Sequence, residues 1–300
     1  PENPIKNLNI QQLADIFSGR INNWQQLGGK DQNIQLYARD NKSGTYDTFN
    51  ALVLKAKDKK LSAQAQRFES NSDLVGKVER DPRGIGFTGL AYAFDTLTVK
   101  VSAGEGLPEI KPATFSVASE DYPLTRRLYL YGNTDKHSNP HVSGFIAHAK
   151  AKAAQKTVED VGFIAQVIRP QKQVVNHNAP LTYQLLSQQA NRLSSTFRLR
   201  SERSEIDTKS QQDIERLVAY FRANDPKIIT LVGFSANESD PDRNQKRAYI
   251  RSKVLAYALR QHGFRNVKIL SLGEQLPIDS NMSEQGKYKN NRTEIWVSRS

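Results

Sequence analysis

No cysteine occurs in the 300 residues, and methionine (Met282) and tryptophan (Trp24 and Trp296) are nearly absent. The lack of cysteine excludes disulfide scaffolds, thiolate metal sites and cysteine nucleophiles together. Long apolar runs are also missing: no stretch approaches the ~20 residues that a membrane-spanning helix requires. Glycine, at 17 residues, and proline, at 12, are too sparse for a fibrous or low-complexity chain. The catalytic fingerprints are incomplete. Gly233-Phe234-Ser235-Ala236-Asn237 lacks the second glycine of a nucleophile elbow, and Gly104-Glu105-Gly106 runs into Pro108 instead of a third glycine. His137 and His141 are separated by Ser-Asn-Pro, which breaks any helix that would align them on a metal, and with His177 they read as solvated loop histidines. No set of nucleophile, base and metal ligands converges, so the expectation is a protein that is not an enzyme and carries no metal or cofactor.

What is present is positive charge, spread evenly. The net charge is +12, and residues 1–194 (24 Lys and Arg against 18 Asp and Glu) and 195–300 (19 against 13) contribute equally. Distributed cationic charge favours anionic partners in general and argues against a concentrated nucleic-acid footprint. The length suggests about two domains.

The pattern along the chain predicts α/β structure. Leu13, Ile16 and Phe17 share a helix face within 8–24, and Ile34–Ala38 reads as a short strand ended by Arg39-Asp40-Asn41-Lys42. Ser43 is a suitable N-cap for a helix whose Phe49, Leu52 and Val53 form an apolar stripe. Gly84–Phe87, Leu97–Val101 and Leu128–Tyr131 read as further strands, and Phe145–Ala154 as a helix. The cluster Arg126-Arg127-Leu128-Tyr129 has strand spacing, for which core packing is the expected role. Residues 169–180 carry two prolines and no clear period and read as an interdomain connection, with the linker set at 173–192. From Leu193 the order β-α-β-α-β-β describes one small α/β sandwich: strands at 196–200, 228–234, 267–272 and 293–297, and helices from 206 and over 240–262.

Two groups of residues carry chemistry. Arg39-x-x-x-Ser43-Gly44-Thr45 places a guanidinium and two hydroxyls beside the unpartnered amides of a helix start, a combination suited to an oxyanion. Together with the run Asn9–Trp24, Gly84-Ile85-Gly86-Phe87, Tyr122-Pro123-Leu124 and Val161-Gly162-Phe163, this motif resembles the phosphate-binding proteins of ABC transporters. The resemblance implies a type II periplasmic binding-protein fold over residues 1–172, with the second lobe at 1–122 and the returning part of the first at 123–168. It implies phosphate or a similar oxyanion held by Arg39, Ser43, Gly44 and Thr45, an ABC transporter permease as partner, and a periplasmic setting. Tyr46 stands where the family often has a second arginine, which removes one cation. The rest of the first lobe would lie upstream, so residues 1–300 by themselves are expected to bind phosphate weakly.

The second group lies in 193–300. Gly233–Ala236, Asn244-Gln245, Arg251, Val254, Leu272-Gly273-Glu274-x-x-Pro277 and Asn290-Asn291-Arg292-Thr293-Glu294-Ile295 resemble the OmpA-like peptidoglycan-associated domain. The resemblance implies peptidoglycan binding, with Arg251, Asn244 and Arg292 as candidate residues, in the envelope of a Gram-negative bacterium. The family's anionic partner for the ligand ammonium is an aspartate at the place of Ala236, and Glu238, Asp240 and Asp242 are the nearby carboxylates that remain. An envelope interaction protein whose first domain no longer binds phosphate is the alternative reading.

Overall fold

The computed structural model describes residues 3–93, 98–133, 139–199, 208–238 and 240–298. The chain divides into two compact units, one of residues 1–117 and 122–166, the other of 118–121 and 167–300. Among the described residues no helix is long and apolar enough to cross a membrane.

In the first unit the strands are short. A three-stranded parallel sheet has β2 (Gln35–Arg39) between β3 (Gln66–Phe68) and β4 (Gly84–Gly86). β1 (Asn7–Asn9) pairs in parallel with β5 (Lys100–Ser102). α1 (Ile10–Phe17) begins with a full capping box, Asn9 and Gln12 each satisfying the other's backbone amide. Gly19 follows at φ +81°, a conformation that favours glycine. α2 (Gly44–Phe49) continues as a wider helical turn to Leu54, and α3 (Asn71–Arg80) crosses between β3 and β4. The core gathers Ile16, Phe17, Phe49, Val53 and Leu54, with Phe87 stacked on Phe49 at 4.0 Å. That stack fastens the body of α2, and so fixes where its first turn stands. α4 (Thr114–Ala118), α5 (Pro140–Lys150) and α6 (Lys152–Asp160) complete the unit. The expected strand at Leu128–Tyr131 does not form. Its side chains are exposed, Tyr131 at 91%, because no neighbouring strand among the described residues accepts its backbone groups. Arg126 is likewise exposed rather than packed in a core. Of the expected strand 97–101, Leu97 lies outside the described residues.

The second unit is a five-stranded sheet in the order β6-β7-β10-β8-β9, from β6 (Pro170–Gln171), β7 (Asn191–Phe197), β8 (Ile228–Gly233), β9 (Val267–Ser271) and β10 (Thr293–Ser298). All pairings are antiparallel except β8 with β9. α8 (Thr208–Asn224) and α9 (Pro241–Gln261) bury Leu217, Phe221, Leu255 and Leu259 against Ile229, Leu231 and Ile295. Residues 173–192, expected to be a connection, hold α7 (Leu181–Gln189), whose Tyr183 packs with Phe234 and Trp296 in a second cluster. Its apolar residues do not share one buried face, Leu181 and Leu185 being exposed and Tyr183 buried, which is why its periodicity is faint in the sequence. α10 (Glu284–Asn290) precedes β10. The start expected for α8 at 206–207 lies outside the described residues.

Two substitutions test these placements. A Cβ on Gly233 would stand 2.4 Å from Ser252 Oγ and 2.5 Å from the Ala248 carbonyl. Gly233→Ala should therefore cost about 1–3 kcal/mol by overpacking, read as a lowered urea midpoint. On β2, the Tyr37 hydroxyl donates to Asp81 at 2.8 Å. Burial, then the hydrogen bond to Asp81 and its negative charge, push the Tyr37 hydroxyl up from 10.0 to about 12. A folded-state value above the unfolded one means that this contribution is full below pH ~10 and is lost as pH rises through about 12. An absorbance titration should show one tyrosine ionising near pH 12 that vanishes in Tyr37→Phe; ionisation of that residue near its ordinary value would contradict the bond.

Candidate functional site

β2 ends at Arg39, and the turn of residues 40–42 delivers the chain to Ser43, the N-cap of α2. The turn closes on itself: the Lys42 amide donates to Asp40 Oδ1 at 2.7 Å and the Ser43 amide to the Asp40 carbonyl at 3.3 Å. Ser43 Oγ accepts from the amides of Thr45 at 3.2 Å and Tyr46 at 3.5 Å, both long for N–H···O bonds. Among the described residues the Gly44 amide has no such acceptor. Ser43 is buried, whereas Gly44 and Thr45 are half-exposed.

Three guanidiniums surround this region in different ways. Arg39 is buried and donates to the Phe68 carbonyl at 3.2 Å, the Glu69 carbonyl at 2.6 Å and Asn71 Oδ1, so that the junction of β3 and α3 braces it. Those bonds engage three of its five N–H groups. Arg67 lies over the Tyr46 ring at 4.3 Å, so a cation sits on the aromatic residue that occupies the place of the family's second arginine. Arg126 lies directly against Gly44, with Nη1 3.1 Å and Nη2 3.2 Å from where a Cβ would stand. The sequence pattern singled out Arg39, Ser43, Gly44 and Thr45. The last three come together at the start of α2, Arg39 is anchored toward β3 and α3, and Arg126 occupies the approach to Gly44. The only sequence signal for Arg126 is its place just after Tyr122-Pro123-Leu124, whose Tyr122 and Leu124 pack against the first unit's core.

In the second unit, Asn244 is fully buried and donates to Glu274, and Arg251, on the same helix α9, is 9% exposed. Arg292 stacks on the Phe234 ring at 3.8 Å and donates to Glu294 at 3.1 Å and to the Leu276 carbonyl at 3.0 Å. Ala236 is buried, its amide bonded to Asn291 Oδ1 at 2.8 Å. Two of the three carboxylates near the vacated aspartate position are engaged. Glu238 pairs with Arg247 at 3.1 Å, and Asp240 caps α9 and pairs with Arg243 at 3.2 Å. The Ser235 hydroxyl is buried with no hydrogen-bond partner among the described residues. His141 is exposed in the first turn of α5 and His177 is exposed before α7, while His137 lies outside the described residues. Among the described residues no group of three or more His, Asp or Glu is placed to hold a metal ion.

The PBP superfamily domain matches residues 1–149, and the OmpA family matches residues 200–291. Phosphate-binding protein PstS of Borreliella burgdorferi is 32% identical over 175 residues, covering 55% of this chain and 60% of that protein. Phosphate-binding protein PstS of Bacillus subtilis is 32% identical over 166 residues, covering 55% of this chain and 52% of its own length. The crystal structure of PstS from Borrelia burgdorferi shares 28% identity across 55% of this chain and 66% of that one, with a TM-score of 0.45. The chain thus spans between half and three-fifths of the length of these two curated relatives. It joins a periplasmic binding-protein domain of the PBP superfamily, homologous over the N-terminal half to PstS proteins, to a C-terminal domain of the OmpA family.

Proposed function

We propose that the first unit captures an inorganic oxyanion, phosphate, at the start of α2, and that the OmpA-family domain holds the protein at the cell envelope through peptidoglycan. The observation that carries the first part is the joint presence of PstS homology and a Gly44 amide without an acceptor among the described residues, flanked by Ser43, Thr45 and arginine side chains. An anion there accepts from Gly44, gathers the weakly held amides of Thr45 and Tyr46, and meets positive charge. Arg126 takes over the role of the cation that Tyr46 lacks, because Gly44 has no Cβ to keep its guanidinium away. Arg39, braced from behind, keeps two N–H groups for the ligand. An ABC transporter permease is the partner to which such a receptor would deliver its anion.

For the second part, Arg251 on α9 supplies the cation for a ligand carboxylate, and Asn244 and Arg292 are the further candidate residues for the peptidoglycan site. The setting is the periplasm of a Gram-negative cell, and the activity is binding without catalysis.

A second reading is favoured by one observation, the three hydrogen bonds that tie Arg39 to Phe68, Glu69 and Asn71. If that arginine never turns to a ligand, the protein is an envelope interaction protein without phosphate affinity.

Phosphate titration followed by amide NMR separates the two readings, since it detects even weak binding. The expected result is saturable shifts of the Ser43, Gly44 and Thr45 amides. Arg39→Ala should weaken binding tenfold or more, in line with the ~1.5–3 kcal/mol of a charge-assisted contact. Arg126→Ala should weaken it by roughly threefold, as an exposed ion contact of ~0.2–1 kcal/mol does. Absence of shifts at millimolar phosphate would overturn the phosphate reading and leave the envelope one. Sedimentation with purified peptidoglycan tests the other half: Arg251→Ala should lower the retained fraction by roughly tenfold in affinity, and equal retention would remove Arg251 from the site.

A further inference from the structure

Among its described residues the second unit buries three arginines on and beside its sheet. Arg192 and Arg198 belong to β7 and its exit, and Arg292 leads into β10; all three are at most 6% exposed. Among the described residues of 167–300, Glu294 is the carboxylate that faces two of them, Arg192 and Arg292. It is 1% exposed, accepts from Tyr183 Oη at 2.7 Å, from Trp296 Nε1 at 3.3 Å and from Arg292 Nε at 3.1 Å, and stands 3.5 Å from Arg192. Buried guanidiniums need partners of opposite charge, because desolvation is not repaid otherwise.

Further partners of Arg192 and Arg198 come from far away in sequence. Asp121 is buried and pairs with Arg192 Nη1 at 2.7 Å, lying 3.8 Å from Arg198 Nη2. Glu120 Oε2 accepts from Arg198 Nη1 at 3.2 Å, and the Ser119 carbonyl accepts from both terminal nitrogens of Arg198 at 3.3 and 3.4 Å. Glu120 has φ +60°, a left-handed conformation uncommon for a residue of its type. The bend lets a backbone carbonyl and two successive carboxylates converge on two guanidiniums. Burial opposes ionisation of Asp121, but the charge and hydrogen bond of Arg192 and the charge of Arg198 outweigh it and hold its carboxyl below the ordinary range.

We infer that Arg192 and Arg198 form an acidic-peptide site on the C-terminal domain, and that its resident ligand is the chain's own Ser119-Glu120-Asp121. The recognition elements are one peptide carbonyl and two adjacent carboxylates, which a free inorganic anion does not present together. Arg192 and Arg198 precede the stretch that matches the OmpA family, which begins at residue 200. The inference does not depend on phosphate capture or on peptidoglycan.

The test uses the whole chain. In Glu120→Gln/Asp121→Asn the resident segment loses both charges, and a fluorescent peptide of sequence Val-Ala-Ser-Glu-Asp-Tyr-Pro should then bind, followed by anisotropy. Binding to the unsubstituted protein should be at least tenfold weaker, since its site is filled, and a peptide with Gln-Asn in place of Glu-Asp should not bind. Equal binding to both proteins, no binding to the folded variant, or equal binding of the uncharged peptide would overturn the inference. If the double variant does not fold, Asp121→Asn and Arg192→Met in a Trp24→Phe background give the answer through the emission of Trp296, which touches Glu294. Asp121→Asn should lower the urea midpoint reported by Trp296, and adding Arg192→Met should lower it by much less than the sum of the two single changes. An unchanged midpoint, or effects that simply add, would overturn the inference.

Discussion

The proposed anion capture turns on the Gly44 amide, which has no acceptor among the described residues and opens a helix packed into the core. Phe49, Val53 and Leu54 pin α2 into the core, and Phe87 stacks on Phe49. The turn of 40–42 holds the other side, since Asp40 occupies the amides of Lys42 and Ser43. Among the described residues the Gly44 N–H has no acceptor, and the Arg126 guanidinium stands where a side chain at Gly44 would crowd it. In the proposed capture an anion meets donors and charge close at hand, and the long bonds of the Thr45 and Tyr46 amides to Ser43 are what must give way.

The second unit solves a different electrostatic problem. Arg192 on its sheet and Arg198 and Arg292 beside it are buried, and carboxylates compensate them in place of water. The compensation is layered. Glu294 is held by Tyr183 and Trp296, so the negative charge nearest the sheet is itself fixed by hydrogen bonds. Burial then pushes the Tyr183 hydroxyl well above its ordinary value, with the Glu294 charge adding to the effect, so Tyr183 stays a donor across the physiological range.

Much of this was legible in the amino-acid sequence, and the exceptions share a cause. The strand ending in Arg39, the Ser43 cap, the long helix ending before Gly263 and the strands around Ile229 and Ile295 follow from local pattern. So do the two family resemblances, because their motifs are contiguous. Contacts between distant segments were not legible. Nothing near Leu128–Tyr131 reveals that its alternation finds no neighbouring strand, and nothing near Arg126 reveals that Gly44 is its neighbour. α7 was hidden for a similar reason: Tyr183 is buried by Phe234 and Trp296, fifty and more residues away, and not by a stripe of its own. Asp121 shows no local sign of pairing with Arg192, since long-range charge pairing leaves no periodicity to detect.

The most direct measurement of the central claim is a crystal structure of the chain soaked in arsenate, an anomalous scatterer with the shape and charge of phosphate. The account predicts an arsenic anomalous peak within hydrogen-bond reach of the Gly44 amide, with Arg126 or Arg39 turned onto its oxygens. An empty approach to Gly44 in well-diffracting soaked crystals, with no arsenic peak near the Arg39 or Arg126 guanidinium, would contradict it.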